Sequence, residues 1–181
     1  MLTAHKSSAQ SARRLRAGCA RGRTATLILR VDARYARSMT ERADHVEAEL
    51  EIEAPIDLVW AVLVDYPRYS TWNPLLVHIE GEAREGELLT VYSGDGASVG
   101  QKAQVCVARV EPPRELRWAH PRRGESVRGW RLQALGPTRT RVVHDCLAGG
   151  SALAPSDRSE VRRELGRMNV ALRIQAETRF S

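Results

Sequence analysis

The chain has 181 residues, 43% of them hydrophobic, which suits one domain of ordinary size plus an extension and supplies enough apolar material for a core. Its net charge of +6 is unevenly held: Lys6 and nine arginines against Asp32 and Glu41 give residues 1–43 a net +8, so residues 44–181, with eighteen basic and twenty acidic side chains, carry −2. That division excludes the basic body of a nucleic-acid-binding domain; no apolar run approaches the roughly 18–20 residues that cross a bilayer, and three cysteines without a C-x-x-C pair exclude a disulfide framework or zinc ribbon.

Residues 1–43 are rich in Ala, Arg and Ser and lack the apolar stretch of a secretory signal. They read as a disordered basic extension, or as residues upstream of a true start at Met39. Residues 44–181 form the folded domain. Thr24 to Val31 can form an isolated strand or helix, with little around it to bury it. The cysteine count fits a reducing compartment, the cytoplasm, with the mitochondrion as the alternative if residues 1–38 are a transit peptide.

From Val46 the pattern sharpens. Val46, Ala48, Leu50 and Ile52 alternate with Glu47, Glu49, Glu51 and Glu53, the period of two of a half-buried antiparallel strand. Pro55 then suits the first position of a helix and Asp57 places a negative charge in its first turn. Ile56, Val59, Trp60 and Leu63 follow the spacing of one buried helical face, and Pro67 limits that helix to about Asp65. Arg68 to Trp72 leaves room for one further turn before Asn73-Pro74 breaks it. Two short helices joined at a bend thus follow the first strand.

Six more strands are predicted: Leu75 to Ala83, Leu88 to Ser93, Gln101 to Val110, Glu115 to His120, Ser126 to Leu135 and Arg139 to Leu147. The glycines of SGDGASVG, Ser93 to Gly100, form a hairpin turn between two of them. Alternation points Leu116, Trp118 and His120 inward, with Trp130 and Leu132, and with Val142, His144 and Cys146. For Gln101 to Val110 the pattern is ambiguous, since Cys106 and Ala108 face one way and Val105 and Val107 the other. Tyr92, with Thr90 and Leu88, is a further wall residue.

The last element is a helix over Asp157 to Arg179, capped by Ser156 or Ser159. Its Val161, Leu165, Met168, Leu172 and Ala176 share one face. At about 1.5 Å per residue it spans roughly 35 Å, enough to cross a small sheet, and that sheet is the only large apolar surface available to cover its stripe. The fold class is therefore α+β, a seven-stranded antiparallel sheet packed on a long C-terminal helix.

This order, with IEAPIDLVWAVLVDYPRYSTWNP at Ile52 to Pro74, VEPPRELRW at Val110 to Trp118, TRVVH at Thr140 to His144 and RMNVALRIQAE at Arg167 to Glu177, resembles the START-like (SRPBCC) superfamily of polyketide cyclases and lipid-transfer proteins. The resemblance implies a helix-grip, in which a curved sheet wraps the C-terminal helix and the gap between them holds an apolar ligand. It also implies an acidic residue at the position of Cys146 in other members, so an acid role there does not carry over.

Function has to be read from the lining, since the fold hosts many activities. Candidate ligand-binding residues are Trp72, Tyr92, Cys106, Leu116, Trp118, His120, Trp130, Leu132, His144, Cys146, Leu165, Met168 and Leu172. Three readings follow: a carrier of a small hydrophobic ligand; an aromatase/cyclase-like enzyme using His120, His144 or Tyr92 for proton transfer; and a co-chaperone or regulatory interaction module. The sequence carries no cofactor or catalytic motif, no spacing that announces a metal site from His120, His144, Cys106 and Cys146, and no signature of oligomeric state.

Overall fold

A computed structural model describes residues 44–94, 99–120, 126–148 and 155–181. The expectations for residues 1–43 and for the centre of the Ser93 to Gly100 turn lie outside the described residues.

The glutamate-alternating stretch forms β1 (Asp44–Ile52). Pro55 precedes α1 (Ile56–Val64) as its N-cap, one position earlier than the sequence suggests, and its carbonyl accepts the Leu58 and Val59 amides at 3.0 and 3.1 Å. The second helical segment is a 3₁₀ helix, Tyr66–Thr71. Asn73 turns the chain out of it: its Oδ1 accepts the amides of Leu75 and Leu76 at 3.0 and 2.9 Å. Asn73-Pro74 is thus a side-chain-stapled corner.

The chain then lays down β2 (Leu76–Glu80), β3 (Leu88–Gly94), β4 (Val99–Glu111), β5 (Glu115–Ala119), β6 (Val127–Gly136) and β7 (Arg139–Ala148), and closes with α2 (Pro155–Phe180). All pairs are antiparallel, in the order β1-β7-β6-β5-β4-β3-β2. The first strand pairs with the last, so α2, which leaves from β7, packs chiefly on β1 and α1. Because α2 begins at Pro155, Ser156 and Ser159 both lie inside the helix and neither is its cap.

The apolar stripe of α2 is buried as its spacing requires: Leu165, Met168, Leu172 and Ala176 are all nearly inaccessible. Two polar residues fasten the helix to β1. Asn169 Nδ2 donates to the Ala48 carbonyl at 2.9 Å, and Glu177 accepts the Glu53 amide at 3.0 Å. At the far end Arg179 pairs with Asp65 at 3.2 Å. The MN-x-x-L-x-x-x-x-E phrase is therefore a set of docking contacts. The structure is the helix-grip expected, a seven-stranded sheet gripping one long helix.

Two strands differ from their expected facing. In β3 it is Leu89 and Val91 that are buried, while Tyr92 turns to the outer face, where its hydroxyl donates to Glu80 at 3.0 Å and Lys102 lies over its ring. In β4 the pairing register shifts between Val107 and Arg109. The bulge brings Val105, Val107 and Val110 to the same face and puts Cys106, paired with the exposed Leu88, on the other. Tyr92 and Cys106 are thus outer-face residues, and the ambiguity of β4's sequence pattern is the trace of its bulge.

Candidate functional site

The inner faces of β5, β6 and β7 carry Leu116 and Trp118, Trp130 and Leu132, and Val142, His144 and Cys146, all buried. Across them α2 presents Leu165, Met168 and Leu172. The side chains meet as a chain of rings: Trp72 contacts Tyr69 edge-on at 4.8 Å, Tyr69 contacts Tyr66 at 5.5 Å, Tyr66 contacts Trp118 at 5.8 Å, and Trp118 contacts Trp130 at 4.9 Å. Trp130 then stacks on His144 at 4.2 Å with the planes 22° apart. The line runs from the corner at Asn73 to the last strand, and edge-to-face pairs of this kind are favourable for quadrupolar rings.

Polar atoms along this line are short of partners. Tyr66 Oη, Trp72 Nε1, Trp118 Nε1, both ring nitrogens of His144 and Asn169 Oδ1 are buried without a hydrogen-bond partner. Trp118 Nε1 is turned toward the Tyr66 hydroxyl outside hydrogen-bond geometry; burial raises the Tyr66 pKa far above the usual phenol range, and Trp118 offsets little of it. Tyr69 is different, because its hydroxyl donates to the Leu63 carbonyl at 2.6 Å.

His144 sits deepest. Burial, helped by the positive charge of Arg128, pushes its pKa down to about 3, against smaller opposing contributions from the Leu165 carbonyl and Asn169, neither in hydrogen-bond geometry. The ring is neutral at pH 7 and too weakly basic to serve as a general base there. Cys146, two positions along, has its thiol pushed up by burial, with Arg128 working in the other direction. It stays protonated and makes a poor nucleophile.

Arg128 faces inward from β6 opposite Cys146 and pairs with Glu164 of α2 at 3.1 Å. His120 follows β5, its amide bonded to the Ser126 carbonyl at 3.3 Å. The strand register places it roughly 13 Å along the strands and 10 Å across them from His144. With Tyr92 on the outer face, the three proton-transfer candidates do not gather at one point. Among the described residues no three His, Cys, Asp or Glu side chains are grouped to hold a metal ion, and no helix is long and apolar enough to cross a membrane.

Two further features lie outside the interior. On the outer face Asp145, 3% exposed, sits over Gly129 and is approached by Arg117 at 3.4 Å, His45 at 3.6 Å and Arg131 at 3.7 Å. Arg117 continues to Glu115 at 2.6 Å, forming an ionic belt across four strands. On the outer side of α2, Pro74, Gly166, Arg167, Val170, Ala171 and Ile174 line a shallow apolar groove of about 410 Å³. Val170 and Ile174 are exposed there.

Tyr66, Tyr69, Asn169 and Arg128 are interior residues that the sequence reading did not single out. The two tyrosines share a face by their three-residue spacing in DYPRYSTW, and Asn169 lies within the closing-helix phrase. Arg128 is in phase with Trp130 and Leu132 along the same strand, which puts it on their face, although an arginine there reads as a solvent-facing residue.

The chain resembles solved structures over most of the described fold. DynU16, from the dynemicin biosynthetic locus, is 25% identical with a TM-score of 0.61; the match covers 76% of this chain and 48% of DynU16, so the chain spans about half of that protein. The ZhuI aromatase/cyclase from Streptomyces sp. R1128 is 23% identical with a TM-score of 0.58, over 77% of this chain and 97% of its own. A START superfamily protein from Mycobacterium smegmatis is 17% identical with a TM-score of 0.56, over 75% and 96%. None of the curated proteins matches in sequence. The family profile described as polyketide cyclase / dehydrase and lipid transport matches residues 43–173. That span takes in every strand, both α-helices in large part and the whole line of buried rings, and the chain belongs to this family.

Proposed function

We propose that the protein binds a small hydrophobic ligand between the sheet and α2, and carries or presents it without transforming it. The observation behind this reading is the row of buried, unpartnered polar atoms in an otherwise apolar interior. Leaving such a group unpaired costs about 1–3 kcal/mol, and native interiors keep few of them. A ligand with two or three polar groups on an apolar body would meet these atoms and recover that cost, as in pockets where a few placed polar groups orient an apolar guest.

The family supports an apolar guest, and the likeness to the ZhuI aromatase/cyclase raises the enzyme reading. Separation of His120, His144 and Tyr92 weighs against it, since proton transfer needs groups within reach of one reacting centre. A second reading, an interaction module, is favoured by the exposed apolar groove beside Pro74 on α2.

Native mass spectrometry of the purified protein, before and after organic extraction, tests the first reading. The expected result is an adduct that extraction removes and an added apolar compound restores. A protein that neither retains nor takes up any apolar compound would sink it.

A further inference from the structure

At the β1–β7 end of the interior the donors and acceptors do not balance. Ala48 pairs with His144 across the two strands, and the Asn169 amide donates to the Ala48 carbonyl at 2.9 Å. That bond fixes Nδ2 as the donor, which leaves Oδ1 as an acceptor, buried and without a partner. Both ring nitrogens of His144 are likewise buried and in no hydrogen bond. Both His144 and Asn169 are 0% exposed. A neutral imidazole has one N–H and one lone pair, so these three atoms comprise one donor and two acceptors, Asn169 Oδ1 and the ring's own lone pair. Among the described residues, what these three atoms lack is one hydrogen-bond donor.

Among the described residues, the inward-facing charge nearby is also neutralised. Arg128, the cation that faces inward nearby, is paired with Glu164 of α2. Introducing a carboxylate would set a dry, unpaired anion against two acceptor atoms, and a ketone would add an acceptor where one is already in excess.

We infer that the buried end of the ligand is an uncharged hydroxyl on an apolar aromatic body, its O–H donated to Asn169 Oδ1 and its oxygen accepting from His144. The aromatic body follows from the walls beside it, the face of Trp130 and the edges of Trp118 and Tyr66. This deepens the ligand-binding reading and rests on it.

Calorimetric titration of the full-length protein at pH 7 with 2-naphthol, naphthalene and 2-naphthoate tests the inference. The expected order is 2-naphthol about tenfold or more tighter than either of the others, the gain of one satisfied buried pair. In Asn169→Leu the advantage of 2-naphthol over naphthalene disappears while naphthalene still binds. Should that variant not fold, His144→Phe is read in the same way. A naphthoate affinity equal to that of naphthol, or a naphthol advantage that survives the substitution, overturns the hydroxyl assignment and leaves ligand binding standing. Failure of all three compounds to bind overturns the ligand-binding reading and this inference together.

Discussion

His144 shows how a residue ordinarily associated with chemistry is turned into something else by its surroundings. Stacked under Trp130 and wholly buried, it holds a pKa of about 3 against an ordinary 6.5. Between those values the unfolded chain binds a proton that the folded chain does not. Stability therefore rises with pH across roughly pH 3 to 6.5, by at most about 1.4 kcal/mol per pH unit from this group, and its contribution is flat above that window. Urea unfolding at pH 4, 5 and 7 should show a steeper acid loss in the natural protein than in His144→Phe; parallel losses would mean that the ring is not held neutral.

Gly129 is another single position that the geometry constrains. A Cβ there would lie 2.9 Å from Asp145 Oδ1 and 3.0 Å from Arg117 Cγ. Arg117 can move aside, but the Asp145 carboxylate is buried among its cationic partners. Gly129→Ala is expected to lower stability by about 1–3 kcal/mol, read as a fall in Tm by calorimetry. An unchanged Tm would show that the ionic belt tolerates displacement.

Among the elements, α2 has two faces with opposite sensitivities. Leu172→Ala removes a fully buried side chain on its inner stripe and should cost about 2–5 kcal/mol in denaturant unfolding. Ile174→Ser, on the exposed side, should stay within about 0.5 kcal/mol of the parent. A large loss from Ile174→Ser would show that this face is covered in the folded protein.

Most of these elements were legible as patterns. The glutamate alternation of β1, the proline punctuation around α1 and the three- and four-residue spacing of α2 each state which face is buried, and the motifs at Ile52 to Pro74 and Arg167 to Glu177 tie them into one fold. What sequence could not resolve was facing in the central strands. A bulge reverses alternation partway along β4, so no single phase fits Val105, Val107 and Val110 together. Thr90 and Tyr92 read as wall residues because strand periodicity gives two faces without saying which is inner. The candidate site was half-readable for the same reason. Trp118, Trp130 and His144 follow from β5 to β7, whereas Tyr66, the pairing of Arg128 with Glu164 and the partnerless Oδ1 of Asn169 depend on contacts between elements distant in sequence.

At the scale of the whole molecule, the chain divides by charge before it divides by fold. The family match begins at residue 43 and β1 at Asp44, where the arginine-rich stretch ends. A chain beginning at Met39 should therefore unfold with the same Tm as the full-length protein while its net charge changes from +6 to −2, seen as a large fall in isoelectric point from about 9.8. A clear drop in Tm would assign residues 1–38 a part in the fold.

The central claim is that ligands are taken up in the interior and not on the outer side of α2. Nuclear magnetic resonance of isotope-labelled protein titrated with naphthalene tests it most directly, because the indole N–H groups of Trp118 and Trp130 and the amides of Val170 and Ile174 report the two places separately. The account predicts shifts concentrated at the indoles of Trp118 and Trp130 and at His144. Shifts confined to Val170, Ala171 and Ile174, with the interior indoles unmoved, would contradict it.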